Sequence, residues 1–168
     1  MLILDSTPLI YLAKIGIIEN LKEIWPDIII PSTVYKEVVE KGIIKGETDA
    51  LIIKRLVENG DFQIRDVKMG RIHKRLGDLE SLSRADLDVI QYAETTNGIA
   101  VMDESIGRSI CRIQGVRCHG TIYILLTLIK EEIIKNDEGK ELINRMIKAG
   151  WFCSTDLYSS ILEKLDKI

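Results

Sequence analysis

The sequence predicts an α/β fold in which a mostly parallel sheet carries helices on both faces. Two observations carry this expectation. Short aliphatic runs bounded by turn or charged residues alternate with longer amphipathic segments from one end of the chain to the other. Apolar residues make up 46% of the 168 positions and charged residues 29%, so a sizeable core can form under a well-solvated surface. That length fits one domain, residues 1–168, that folds without a disulfide or metal staple.

Buried strands are expected at 2–4, 28–30, 62–64 and 99–102, each brief and largely aliphatic. Helical periodicity covers 8–13 and 17–25. A third helix starts after Pro31, with Ser32 or Thr33 as cap and Val34, Val38 and Val39 on one face. Residues 48–58 place Leu51, Ile52 and Leu56 at helical spacing. Ser83 opens the next helix, with Val89, Ile90 and Ala93 facing the core and Asn97-Gly98 closing it. Helices over 105–113, 121–130, 139–149 and 156–165 complete the series. Residues 66–80 are charged, aperiodic and hold Gly70 and Gly77; they read as a flexible loop or lid.

Composition narrows the function classes. A net charge of −3 is no electrostatic footprint for nucleic acid, so such a substrate needs a local basic patch or bound cations. Cys111, Cys118 and Cys153 are odd in number and form no CxxC, and the two histidines, His73 and His119, are dispersed; Cys118 beside His119 lacks the further spacing of a zinc site. Met1 runs straight into an aliphatic strand with no basic leader, and no apolar run approaches the ~20 residues of a membrane span. The expectation is a reduced, cytoplasmic protein.

In a parallel sheet, ligands bind beyond the carboxyl ends of the strands. Asp5 ends the first strand, Glu37 lies on the helix after the second, Asp86 in the first turn of the Ser83 helix, and Asp103-Glu104 directly after the 99–102 strand. Four separate elements thus supply carboxylates to what can be one edge. Hard divalent cations such as Mg²⁺ and Mn²⁺ take oxygen ligands, and a pair about 4 Å apart activates water against a phosphodiester. Each acid also has a purely structural use. Asp5 can cap a helix, Glu37 can be a solvated helix residue, Asp86 completes a capping box with Ser83, and Asp103-Glu104 can favour a helix N-terminus. Asp88, two residues beyond Asp86, is expected to point away into solvent.

The motifs match a known pattern. Leu2-Ile3-Leu4-Asp5-Ser6-Thr7-Pro8, Ile30-Pro31-Ser32-Thr33-Val34-Tyr35-Lys36-Glu37, Leu82-Ser83-Arg84-Ala85-Asp86 and Ala100-Val101-Met102-Asp103-Glu104-Ser105-Ile106-Gly107-Arg108 resemble, in order, the four acidic motifs of PIN-domain proteins. Ala85 stands where that family often has Gly. The Asp-acid-x-x-Gly-Arg form, followed by His119-Gly120-Thr121 and by Gly150-Trp151-Phe152, resembles a prokaryotic subgroup related to VapC-type toxin ribonucleases.

That resemblance implies a three-layer α/β/α sandwich and Mg²⁺- or Mn²⁺-dependent hydrolysis of single-stranded RNA. It also implies a homodimer and, as for many relatives, an antitoxin partner. By carry-over, Asp5, Glu37, Asp86 and Asp103 are the catalytic metal ligands, and Glu104 is an alternative to Asp103. Ser6 or Thr121 positions a metal-bound water. Arg84, Arg108 and Arg112 lie near these acids and are the phosphate-gripping candidates, beside a basic run of Arg71, His73, Lys74 and Arg75. No stacking-aromatic stripe is visible. A phospho-accepting receiver-like domain wants a tight acidic pair on the first strand, and a haloacid-type phosphatase wants a second Asp where Thr7 stands. A PIN-like protein that binds without cutting is the remaining rival.

Overall fold

The structure, a computed structural model, describes residues 1–77 and 79–168. Position 78, inside the expected 66–80 loop, lies outside the described residues. Five strands, β1 (Leu2–Leu4), β2 (Ile28–Pro31), β3 (Gln63–Arg65), β4 (Ile99–Val101) and β5 (Cys118–His119), form one sheet in the order β3-β2-β1-β4-β5. Every pairing is parallel. β1 and β2 are buried along their whole length, as their unbroken aliphatic sequences require of strands covered on both faces.

The helices supply those covers. α1 (Ser6–Lys14) packs against α4 (Thr48–Glu58), α8 (Thr121–Lys130) and α9 (Asn136–Lys148) in one layer. α6 (Arg84–Thr96) lies across β1, β2 and β4 on the other, flanked by α5 (Arg71–Leu76) and α7 (Ser105–Gln114). α10 (Thr155–Leu165) packs on α9. The result is the α/β/α sandwich that the alternation predicts, with one apolar cluster running from Leu2 to Leu165. Asn97 ends α6 in the left-handed region at φ 52°, the conformation an Asn-Gly C-cap supplies.

Two stretches differ from expectation in shape. The 17–25 segment folds as a 3₁₀ helix, Ile18–Glu23, and stops short of Trp25, which Pro26 biases away from the α region. The helix after Pro31 begins as α2 (Ser32–Tyr35), widens into a π-helical turn at Lys36–Glu40 and returns to α3 (Lys41–Lys45). The turn seats both Val38 and Val39 in the core.

Within the expected loop, residues 71–76 form a helix rather than a free loop. α5 is docked on α6 through buried polar contacts. His73 and Asp88 are only 3% and 2% exposed, and His73 Nε2 lies 2.6 Å from Asp88 Oδ1. His73 Nδ1 accepts from the Gly70 backbone N–H, so the ring proton sits on Nε2 and is donated to Asp88. Thr33 Oγ1 and Arg84 Nε donate to the same carboxylate. Beside it, Gln91 Oε1 accepts from the Ile72 backbone N–H and Arg71 pairs with Glu94.

The expectation that Asp88 faces solvent is therefore overturned. A residue two along from Asp86 does leave Asp86's face, but it enters the α5–α6 and α2–α6 seams rather than water. His73 and Arg71, expected in a strand-binding run, are engaged in the same docking.

Asp88→Ala leaves the His73 N–H and the Thr33 hydroxyl without their acceptor in a dry seam. We expect a loss of about 3 kcal/mol, seen as a fall in Tm of about 6–12 °C in thermal unfolding. Unfolding indistinguishable from wild type would show that the node contributes nothing to docking α5.

Candidate active site

In the strand order β3-β2-β1-β4-β5 the chain winds outward in opposite directions from β1 and β4. The connections therefore diverge at that junction, and a crevice opens beyond the strands' carboxyl ends. β1 and β4 run in register, with Leu4 opposite Val101, so Asp5 and the 102–104 segment leave the sheet as neighbours. The Asp5 backbone N–H extends the ladder by donating to the Val101 carbonyl.

Asp5 occupies the N-cap position of α1, but its side chain makes no capping hydrogen bond. The structural use that its position offers is not taken up. Its carboxyl is 5% exposed, and its pKa is pushed from 3.8 to about 7. Burial is the main cause, and the negative charges of Asp86, Glu37 and Asp103 add to it against the lowering effect of the Ser6 backbone N–H. Asp86, Glu37 and Asp103 thus each act electrostatically on Asp5.

Each acid is held differently. Glu37 is exposed on the π-helical turn after β2. Asp86 forms a reciprocal capping box: it accepts from the Ser83 backbone N–H at 2.7 Å, while Ser83 Oγ accepts from the Asp86 N–H at 3.1 Å. The structural and electrostatic readings of Asp86 hold together, because a capping carboxylate still carries its charge. Asp103 is clamped at three points. The Thr121 backbone N–H donates to Oδ1, and the Thr121 hydroxyl and Trp151 Nε1 donate to Oδ2, all at 2.7 Å. Gly120 belongs to the same clamp, since a methyl added there would stand 2.7 Å from Asp103 Oδ1.

Glu104 instead caps α7 by accepting from the Gly107 N–H, and Asp103, not Glu104, contributes to the field at Asp5. Thr121 is fully buried at the start of α8. Ser6 Oγ, next to Asp5, is a buried hydroxyl without a hydrogen-bond partner among the described residues.

Arg84 stands apart from the other two arginines, and Arg108 and Arg112 border one recess. Arg84 is tied to Asp88. Arg108 lines the cleft that opens beside Asp103 and helps burial keep the His119 ring neutral. Arg112 borders a smaller recess with Val116 and Cys118. All three cysteines are free thiols. No local pattern signals the Trp151 contact, which joins residues 48 positions apart; a lone indole donor beside Gly150 is the nearest hint.

The donor set is all oxygen, as a hard cation wants. Among the described residues, however, no group of three or more His, Cys, Asp or Glu is placed to hold a metal ion. Among the described residues, too, no helix is long and apolar enough to cross a membrane.

Asp5 fixes the sign of a pH effect. Its folded pKa lies above that of the unfolded chain, so the native state holds a proton that the unfolded chain has released between about pH 4 and 7. Stability falls as pH rises through that window. A carboxyl displaced from 3.8 to about 7 costs on the order of 4 kcal/mol once ionised. In chelator, Asp5→Asn should be more stable than wild type at pH 8 by up to that amount and equal to it near pH 4. Thermal unfolding across pH 4–8 reads this directly, and a stability difference independent of pH would contradict it.

No curated protein and no solved structure matches the chain. One family profile, described as DUF3368, PIN domain, matches residues 1–167. That match spans nearly the whole chain, and the chain belongs to the PIN-domain proteins.

Proposed function

We propose that this protein is a Mg²⁺- or Mn²⁺-dependent endoribonuclease acting on single-stranded RNA. The observation that carries the reading is the buried Asp5 carboxyl standing in the combined field of Glu37, Asp86 and Asp103. Carboxylates massed this way oppose folding unless a cation offsets them, and PIN-family membership is consistent with hydrolysis.

Asp5, Asp86 and Asp103 would hold the metal from the ends of β1, α6 and β4, with Glu37 as a fourth ligand; Glu104, as the α7 cap, is the weaker choice. A bound divalent cation supplies Lewis acidity and a water of lowered pKa at the phosphodiester. The exposed Glu37 side chain has the rotamer freedom to turn inward. Thr121 and Trp151 fix the Asp103 carboxylate and leave it no freedom to swing. The buried Ser6 hydroxyl is available to orient a water beside Asp5. Arg108 sits where it can take a phosphate next to Asp103.

We extend the proposal to a toxin acting as a homodimer under control of an antitoxin. The support is the resemblance of residues 103–108 to VapC-type toxins, and a small antitoxin-like reading frame beside the gene is the cheap discriminator. A second reading, RNA or partner binding without cleavage, is favoured by the open spacing of the acids among the described residues. Activity separates the two.

Purified protein should cut a single-stranded RNA in Mn²⁺ or Mg²⁺ but not in chelator, and Asp5→Asn should lower the rate by at least about 10³-fold. Cleavage by the variant at the wild-type rate, or cleavage without metal, sinks the nuclease reading. Gly120→Ala tests the Asp103 clamp. Its backbone, at φ −94° and ψ 177°, suits alanine, yet the added methyl displaces the carboxylate. The cleavage rate should fall about 10- to 100-fold, with Tm lowered as well because the Thr121 and Trp151 donors lose their acceptor, and unaltered cleavage would remove Asp103 from the reacting centre.

A further inference from the structure

A groove of about 480 Å³ opens beside Asp103, between α8, the Trp151 segment and α10. Arg108, Lys130, Lys164 and Lys167 line it, and Asp103 is the sole acid among the described lining residues. Among the described residues, none of these four cations forms a salt bridge. In a chain of net charge −3, this groove sets four cations against one acid.

The groove wall is also aromatic. His119, at the end of β5, and Tyr123, on the first turn of α8, stack face to face with centroids 3.9 Å apart and planes 13° from parallel. Tyr123 leans in turn on Trp25, which braces the pair. Ile122, Leu126 and Leu157 supply apolar surface between the charges. Cations interleaved with aromatic and apolar faces are what a strand of alternating phosphates and bases binds. An acidic protein segment would use the charges and leave the stacked pair idle.

We propose that this groove is the track for single-stranded nucleic acid leading to the Asp103 end of the crevice. Arg108, Lys130, Lys164 and Lys167 take successive phosphates, and the His119–Tyr123 pair offers one base a stacking face. The inference rests on the nuclease reading only for which strand is cut; binding stands or falls by itself.

The test is fluorescence anisotropy of a fluorescein-labelled 12-nucleotide single-stranded RNA with the full chain in EDTA, so that binding is read without turnover. Lys164 and Lys167 are exposed, so Lys164→Gln/Lys167→Gln keeps the fold. It should weaken binding about tenfold and flatten the slope of log K against log salt by about 1.4, or 0.7 for each phosphate that the variant no longer neutralises. Tyr123→Leu, checked for an intact thermal transition, should weaken binding about tenfold and leave that slope alone.

Equal affinity and slope in the lysine variant overturn the proposal. So does an oligoglutamate peptide that binds through the two lysines while the RNA does not bind. Wild type that binds RNA in EDTA but leaves it intact in Mn²⁺ removes the nuclease reading and keeps the groove. Wild type that cuts, with the lysine variant binding as well as it does, removes the groove and keeps the nuclease.

Discussion

β1 and β4 pair in parallel with Leu2 opposite Ile99 and Leu4 opposite Val101, and that register sets the rest of the site. Because neither strand outruns the other, Asp5 leaves the sheet level with Met102, and Asp103 follows one residue beyond. Because the chain winds away from this junction on both sides, a crevice opens there. A slip of one residue would turn Leu2, Ile3 and Leu4 onto the wrong faces of a sheet buried on both. The aliphatic core therefore holds the acids in place, and it does so with residues that have no chemistry of their own.

Held there, the acids meet a conflict that the remaining structure resolves piecemeal. Asp103 is offset by three donors, and Asp86 by the Ser83 N–H. Glu37 stays in solvent on its π turn, where its charge is screened. Asp5 has burial without comparable donors, so it absorbs the conflict as a pKa of about 7. The uneven treatment has chemical content. A carboxyl left half-protonated near neutral pH is one whose ionised form gains most from a cation.

Local signals in the sequence carry the sheet and the acids far. The strand at Leu2–Leu4 and the helices at Thr48–Glu58 and Thr121–Lys130 have the expected bounds, since each is a clean periodic run between breakers. The capping box at Ser83 and the Asn97 cap are legible for the same reason: their partners lie within four residues. What sequence does not disclose depends on partners far along the chain. Asp88 meets His73 and Thr33, 15 and 55 residues away, and Trp151 reaches Asp103 across 48. α5 has little periodicity of its own and is helical because α6 offers it buried acceptors. β5, two residues long, carries no pattern that a strand could be read from.

Charge obeys the same division between what is summed and what is placed. The net value of −3 argues against a nucleic-acid surface, yet several basic side chains are neutralised by partners: Arg55 by Glu19, Arg71 by Glu94, Arg84 by Asp88 and Lys22 by Asp61. Beyond these pairs, Arg108, Lys130, Lys164 and Lys167 border one groove in which Asp103 is the sole acid among the described lining residues. A polyanion near such a surface feels the local field within a Debye length of about 8–10 Å, not the total. The acid cluster then has a second consequence, because without cations it would repel the strand that the groove attracts. If the acids hold a cation as proposed, its occupation would ease binding of a strand in the groove through Asp103, the residue that belongs to both the acid cluster and the groove.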